Sequence, residues 1–260
     1  MAMCVDDRSR PPIQPGPGQA VDQAELELTA DDGNRFLAYR ARARNPTGAG
    51  VLVLPDIRGL LPYYEQLADR FAEHGIDALA IDWFGRTAGI GRRGEGFDEE
   101  PHVARLTWPG LAADVTAGFA YLRSPEGGSA RSLFPVGFCL GGRIAFITPT
   151  LGLGVAGAIG FYGRPTDELP HGSPPPYTVV DRLTAPILGI FAGRDQYIPN
   201  AAVDRYREAL EEAGAEHRIL TYPDAPHSFF DMLADEYAAE SASAWDETLR
   251  LITSGTDRSA

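Results

Sequence analysis

Short apolar runs alternate with longer amphipathic segments along most of this chain. Residues 50–54 and 76–81 are apolar runs typical of buried parallel strands. Between them, apolar side chains repeat at helical spacing from Pro62 onward, and proline is favoured at the first position of a helix. This pattern predicts a strand–helix–strand unit with a right-handed crossover.

The alternation continues to the end of the chain. Further strands are predicted over residues 133–136, 155–161, 186–192 and 217–222, and further helices over 111–123, 140–148, 201–213 and 237–252. Asn200 and Gly214 are expected to cap the third of these helices, and residues 82–100 are expected to be a loop. Residues 25–29 and 35–43 alternate at period two around a turn, which predicts an antiparallel hairpin. The whole pattern predicts an α/β fold with one doubly wound, mostly parallel sheet flanked by helices.

We expect a single domain over residues 20–255. Residues 1–19 are rich in Pro, Gly, Arg and Asp, which predicts a flexible tail, and residues 256–260 are expected to form a flexible C-terminus. Residues 162–184 are rich in proline and predict an irregular excursion in a position to cover a site. Pro135 lies inside a predicted central strand, where we expect one ladder hydrogen bond to be missing.

Composition narrows the functional classes. The chain has 260 residues, which fits one large α/β domain or two small ones and is long enough for a sizeable core, and 44% of the residues are apolar. A net charge of −13 argues against affinity for nucleic acid or anionic membranes. The two cysteines, Cys4 and Cys139, cannot form a disulfide framework, so we expect a cytoplasmic setting. Residues 1–20 lack the apolar segment of a signal peptide, and no apolar run approaches the length of a membrane span.

The first candidate for chemistry lies where the strand over 133–136 meets the following helix. Residues 137–141 are Gly-Phe-Cys-Leu-Gly, the spacing of a nucleophile elbow with a thiol in place of the hydroxyl. Glycines permit the close backbone approach that such a bend requires, and a thiol at a helix N-terminus is favoured as thiolate. The motif alone fits a small buried cysteine in a strand–helix turn equally well.

Two further groups decide between these interpretations. Ligands of open α/β sheets bind beyond the carboxyl ends of the strands, and there the strand over 186–192 leads to Asp195 and the last strand leads to His227. Nucleophile, acid and base therefore follow one another in the order of α/β-hydrolases. We predict a catalytic triad of Cys139, Asp195 and His227. The other histidines lack such partners in the sequence: His74, His102, His171 and His217.

These residues resemble the dienelactone hydrolase family, whose members are carboxylic-ester hydrolases with an α/β-hydrolase fold and a Cys-Asp-His triad. The resemblance covers about residues 24–253. Its most specific pieces are residues 137–142, 193–195 and 227–229. It extends to residues 55–59, 82–86 and 161–163 and to Trp108.

The resemblance implies a mechanism. Cys139 thiolate would attack an ester or lactone carbonyl, His227 would take up and return protons, and Asp195 would orient the imidazole. Backbone N–H groups of Ile57 and Leu140 would stabilise the oxyanion. Water would then cleave the thioester, and neither a metal nor an organic cofactor is expected.

The resemblance also implies residues around the thiol. The family places a glutamate after the first parallel strand, close to the resting thiol, and this chain has the shorter Asp56 there. Trp108 and Tyr162 match family positions and are expected to bind substrate or modulate the thiol.

A second departure bears on the substrate. Family members that act on the carboxylated dienelactone hold its carboxylate with two arginines, and the corresponding positions here are Asp231 and a position near Pro101. An aspartate there would repel an anion, and Arg105 is a candidate replacement, as are Arg92 and Arg93, although solvated loop arginines are the simpler interpretation. We therefore expect an ester or lactone without that carboxylate, with dienelactone itself as the alternative.

Two other functional classes are compatible with parts of the sequence. A thiol oxidoreductase would use Cys139 as a redox centre, but no resolving cysteine is close in sequence. A non-catalytic binding or sensor protein with the same fold would not require an intact triad. The expected partner is a small-molecule ester or lactone, and the chain is expected to be a monomer or a small homo-oligomer.

Overall fold

A computed structural model describes residues 9–13, 15, 16, 20–94 and 96–259 of the chain. Its strands are β1 (Ala20–Thr29), β2 (Arg35–Ala43), β3 (Ala49–Leu54), β4 (Asp77–Ile81), β5 (Ser132–Phe138), β6 (Ala158–Phe161), β7 (Ile187–Ala192) and β8 (His217–Tyr222). Its helices are α1 (Pro62–Glu73), α2 (Gly85–Ala88), α3 (Glu100–Val103), α4 (Trp108–Arg123), α5 (Leu140–Ile147), α6 (Asn200–Glu212) and α7 (Ala238–Ser259).

The strands form one sheet in the order β1-β2-β4-β3-β5-β6-β7-β8. β1 and β2 are the predicted antiparallel hairpin, and β2 is also antiparallel to β4. All pairs from β4 through β3 to β8 are parallel. The predicted mostly parallel sheet flanked by helices is therefore confirmed. Because parallel strands end at the same edge, the loops after β3, β5, β7 and β8 meet there.

The apolar runs in the sequence are the buried central strands. Every residue of β3, β4, β5, β6 and β7 is buried. Successive side chains of a strand point to opposite faces, so Val51 and Val53 join a cluster that includes α1, whereas Leu52 and Leu54 join one that includes α4. Both faces of the sheet are thus covered by helices, which explains why these strands are apolar throughout rather than alternating.

Pro135 lies near the start of a ladder. It is opposite Leu52 of β3, while the pairing of β5 with β6 begins only at Val136. The proline therefore lies just before the residues that pair with β6, where a missing N–H disturbs the sheet least.

Several predicted boundaries were wrong. Residues 82–100 contain the one-turn helix α2 and the first residue of α3 instead of loop alone. Asn200 is the first residue of α6, and Pro199 before it occupies the cap position. The side-chain amide of Asn200 instead donates to Gly193 O at 3.3 Å. Helix α7 continues through Ser259, beyond residue 252, where the predicted helix ended.

Most of the predicted N-terminal tail lies outside the described residues. In its described part, Ile13 packs against the core cluster that includes α1, and Gly16 N donates to Glu73 Oε2 at 2.7 Å. Within the described ranges, no helix has the length and apolar character needed to cross a membrane.

Candidate active site

Cys139 occupies the bend between β5 and α5. Its backbone has a φ of 52° and a ψ of −109°, a conformation that non-glycine residues rarely adopt and that is found where the surrounding structure enforces it. The bend is tight because a Cβ on Gly137 would lie 2.0 Å from Gly141 O, and one on Gly141 would lie 2.0 Å from Leu54 O. The glycine spacing read from the sequence is therefore a steric requirement of this turn.

His227 and Asp195 approach the thiol from the loops after β8 and β7. His227 Nδ1 lies 2.6 Å from Asp195 Oδ2, and both side chains are buried. The other carboxylate oxygen of Asp195 accepts hydrogen bonds from the backbone N–H groups of Tyr197 at 2.8 Å and Ile198 at 3.1 Å. His227 also hydrogen-bonds to Cys139. The three predicted triad residues thus lie together in space, with the imidazole between the thiol and the carboxylate.

The electrostatics of the histidine follow from its two partners. Burial alone lowers the pKa of His227, but hydrogen bonds with Asp195 and Cys139, and the negative charge of both groups, raise that pKa to about 10. A protonated imidazole between a carboxylate and a thiolate is therefore the favoured resting state at neutral pH. Chemically, an imidazolium–thiolate pair can supply a charged nucleophile and a proton donor.

Cys139 and His227 line a cavity of about 240 Å³. Ile57 and Leu140, the two residues predicted to stabilise an oxyanion, line the same cavity on either side of the elbow. The remaining apolar lining consists of Val103, Leu169, Pro170 and the partly polar Tyr197. Such a small, largely apolar cavity with a few polar groups fits a small organic molecule.

The proline-rich excursion over residues 162–184 forms part of this cavity wall. Arg164, Leu169 and His171 belong to it and line the cavity. Residues 174–177 do not line the cavity. The sequence-based expectation that this loop covers a site therefore applies to its first half.

Asp56 is buried close to the thiol. Its Oδ1 accepts a hydrogen bond from Arg58 N at 2.9 Å, and among the described residues Oδ2 has no hydrogen-bond partner. Burial, followed by the negative charge of Cys139 and then that of Asp231, raises the pKa of Asp56 well above its ordinary value. A neutral carboxyl group is therefore favoured beside the thiolate.

Asp231 is not among the residues that line the cavity. Its carboxylate accepts hydrogen bonds from the Tyr162 hydroxyl and from Met232 N, and only 3% of the residue is exposed. Burial raises the pKa of Asp231 to about 7, although these hydrogen bonds act in the opposite direction. Tyr162 is fully buried, and its ring packs 4.7 Å from that of His227. Tyr162, whose hydroxyl donates to Asp231, therefore packs against the imidazole of His227.

The other predicted ligand-binding residues also lie outside the cavity. Arg105 is exposed. Trp108 does not line the cavity, but its backbone N–H donates to His171 O at 2.6 Å and so holds a residue that does. Arg92 pairs with Glu65 at 2.9 Å, and Arg93 is buried against Asp82 at 2.9 Å. The basic side chains that line the cavity, besides His227, are those of Arg143, Arg164 and His171.

Sequence reasoning missed these three cavity residues. Arg143 offers one local signal, because it follows Cys139 by four residues, so the two positions share one helical face. His171 and Arg164 belong to an irregular loop, where no periodicity indicates which side chains point inward. Within the described ranges, no group of three or more His, Cys, Asp or Glu side chains could hold a metal ion.

The chain is similar to known proteins along most of its length. The sequence model of the dienelactone hydrolase family matches residues 36–254. An Escherichia coli (strain K12) protein named "Putative carboxymethylenebutenolidase" is 30% identical over 226 residues, covering 84% of this chain and 82% of that protein. A Yersinia pestis protein of the same name is 31% identical over 229 residues, covering 85% and 84%. The crystal structure of a "Putative Dienelactone Hydrolase" from Klebsiella pneumoniae subsp. pneumoniae MGH 78578 has a TM-score of 0.78 at 26% identity, covering 90% of this chain and 99% of the other.

Proposed function

Because this chain belongs to the dienelactone hydrolase family, we propose that it hydrolyses a small carboxylic ester or lactone through Cys139, His227 and Asp195, with a thioester acyl-enzyme as intermediate. The observation that carries the proposal is the hydrogen-bonded series of thiol, imidazole and carboxylate at the wall of one small cavity. Nucleophile, base and orienting group have the relation that acyl transfer requires.

The first half of the reaction forms the acyl-enzyme. Cys139 thiolate attacks the carbonyl carbon, a C–S bond forms, and the carbonyl oxygen becomes an oxyanion. Backbone N–H groups of Ile57 and Leu140 stabilise that oxyanion, with the N-terminus of α5 adding its partial positive charge. When the intermediate collapses, the C–O bond breaks and His227 gives its proton to the leaving oxygen.

The second half releases the acid. Neutral His227 removes a proton from water, the water oxygen attacks the thioester carbonyl, and the C–S bond breaks to return thiolate and imidazolium. A lactone leaves as one hydroxy acid, because its leaving oxygen remains attached to the acyl chain. Asp195 keeps the imidazole in one orientation throughout, since both of its carboxylate oxygens are engaged.

A second substrate candidate is the one for which the Escherichia coli relative is named, a carboxylated butenolide. Our argument against a carboxylated lactone depended on Asp231, which is buried against Tyr162. The cavity instead carries the side chains of Arg143 and Arg164. A carboxylated lactone is therefore compatible with the charges that line the cavity.

The proposal is tested by isolating the intermediate. We expect acid-quenched enzyme mixed with p-nitrophenyl acetate to carry one acetyl group on the peptide that contains Cys139, detected by mass spectrometry. A Cys4→Ser variant removes the other cysteine of the chain and serves as the control. Turnover of the ester with no acyl group on Cys139, even when the reaction is quenched before steady state, would contradict the thioester mechanism.

Asp56 gives a separate prediction about the resting thiolate. Since burial and the nearby thiolate favour a neutral carboxyl group, Asp56→Asn preserves both charge and shape. We expect kcat/KM at pH 7 to stay within about threefold of the wild-type value, a change of less than about 1 kcal/mol in barrier height. Steady-state hydrolysis of a neutral p-nitrophenyl ester measures this. A loss of about a hundredfold in a folded variant would show that an ionised Asp56 is required.

A further inference from the structure

His171 lines the active-site cavity and carries an unused hydrogen-bond donor. The residue is 8% exposed and lines the cavity beside Cys139 and His227. Its Nδ1 accepts a hydrogen bond from Ser173 N at 3.3 Å, so the hydrogen of a neutral ring must be on Nε2. Among the described residues, nothing hydrogen-bonds to that Nε2, although it is buried. Burying a donor without a partner is costly, which makes such a group a candidate for binding a ligand.

The imidazole is held by a second buried group. Arg143 is fully buried, and it donates from Nε to Ser173 Oγ at 2.7 Å and from Nη2 to Ser173 O at 2.9 Å. Ser173 N in turn donates to His171 Nδ1, so one serine joins the arginine to the histidine. This series fixes the rotation and tautomer of His171 before a ligand binds, as expected for a preorganised site.

The surroundings of His171 are positively charged. Arg143 Nη1 donates to Arg164 O at 3.0 Å, so all three of its described hydrogen bonds end on neutral oxygens. Arg164 pairs with Asp167 at 3.0 Å, where both side chains are partly exposed. Burial lowers the pKa of Arg143 to about 10, which leaves it charged at neutral pH. Burial and the nearby Arg143 lower the pKa of His171 to about 4, which leaves the imidazole neutral.

We propose that His171 is a specificity-determining residue, whose Nε2–H binds an oxygen acceptor on the substrate away from the scissile carbonyl, with an anionic oxygen favoured by Arg143 and Arg164. This inference rests on the proposed function, since it assigns the group that selects substrates for the Cys139 nucleophile. Two observations support it independently of charge: the buried, unpartnered Nε2 of a residue that lines the cavity, and the serine that fixes the tautomer of that residue.

Three esters with one leaving group separate the chemistry of the acceptor. p-Nitrophenyl hydrogen adipate offers a carboxylate, methyl p-nitrophenyl adipate offers a neutral ester oxygen, and p-nitrophenyl hexanoate offers no acceptor beyond the scissile group. We expect kcat/KM to decrease in that order. A hydrogen bond to a charged group is worth about tenfold or more in affinity, so the adipate monoester should be preferred over the hexanoate by at least that factor.

Two substitutions separate the donor from its support. His171→Gln keeps an N–H near the position of Nε2, whereas His171→Asn keeps an acceptor for Ser173 N but removes the donor to the cavity. We expect His171→Asn to lower the adipate-to-hexanoate ratio about tenfold, mainly through KM, and His171→Gln to retain most of it. His217→Asn, a histidine of β8 that does not line the cavity, is the matched control and leaves the ratio unchanged.

The outcomes distinguish this inference from the proposed function. An unchanged ratio in a folded His171→Asn variant would overturn the assignment of His171, and so would an equal loss on all three esters. Failure of the proposed function has a different signature, because Cys139→Ala would then still hydrolyse all three esters. A ratio that falls in His171→Asn and recovers in His171→Gln supports the inference.

Discussion

Cys139→Ala is expected to lower kcat for a p-nitrophenyl ester by roughly 10⁴-fold or more while leaving the fold intact. The magnitude follows from the loss of a nucleophile that acts as one unit with its base, since removing one triad member from serine hydrolases costs nearly as much as removing all of them. The cavity and the backbone of Ile57 and Leu140 remain in this variant, so a small residual rate above that of water is expected. Alanine also tolerates the positive φ at position 139 about as well as cysteine.

The matched control for this prediction is Cys4→Ala. Each variant loses one of the two thiols of the chain, and Cys139 lines the cavity. We expect Cys4→Ala to retain wild-type kcat/KM, and thermal unfolding to show that both variants are folded. Retained esterase activity in Cys139→Ala would remove the nucleophile from the mechanism and revive a binding or sensor role for this fold.

The elbow could be predicted from sequence because its cause is local. Only residues without a Cβ fit at Gly137 and Gly141, so the geometry of the bend is visible as two glycines around one cysteine. The positions of Asp195 and His227 near Cys139 could also be predicted, because parallel strands bring their carboxyl ends to one edge regardless of loop detail. The α/β-hydrolase fold that these features imply is confirmed by the family match and by the similar solved structure.

The lining of the cavity could not be predicted in the same way. Asp231 was chosen because it aligns with a family arginine, and Arg105 was chosen as a replacement for a missing one. Neither argument reveals that the Asp231 carboxylate is held by Tyr162 or that the Arg105 side chain is exposed. Arg143 and His171 meet only through Ser173, a residue of an irregular loop whose path no periodic pattern describes. Contacts of this kind depend on tertiary packing, so a single sequence gives little information about them.

Short helices were missed for a related physical reason. Segments of four residues such as α2 and α3 have no repeating apolar face, and their stability comes from what surrounds them. In α2, a Cβ on Gly85 would lie 2.1 Å from Arg35 O, so this glycine marks a close approach of the chain to β2 rather than a flexible loop.

Asp195→Asn is the second large effect that we expect, a loss of about 10³- to 10⁴-fold in kcat, as for the equivalent change in serine hydrolases. The amide oxygen can still accept hydrogen bonds from the N–H groups of Tyr197 and Ile198, which directs the NH₂ group toward His227. Nδ1 of His227 must then act as an acceptor, so the hydrogen of the neutral ring moves to Nε2 and the ring can no longer take a proton from water.

The pH dependence of Asp195→Asn separates this account from simple misfolding. The hydrogen bond and charge of Asp195 are among the causes that raise the pKa of His227 to about 10, so their loss lowers that pKa. As the pH rises, the imidazolium–thiolate pair is therefore lost at a lower pH than in the wild type, and this shift changes the pH dependence of Cys139 alkylation by iodoacetamide. Asp224→Asn is the matched control, because Asp224 is an exposed carboxylate paired with Arg194 at 2.6 Å. If both variants gave the wild-type alkylation profile, Asp195 would not govern the charge of the histidine, and its proposed role in orienting His227 would lose its electrostatic basis.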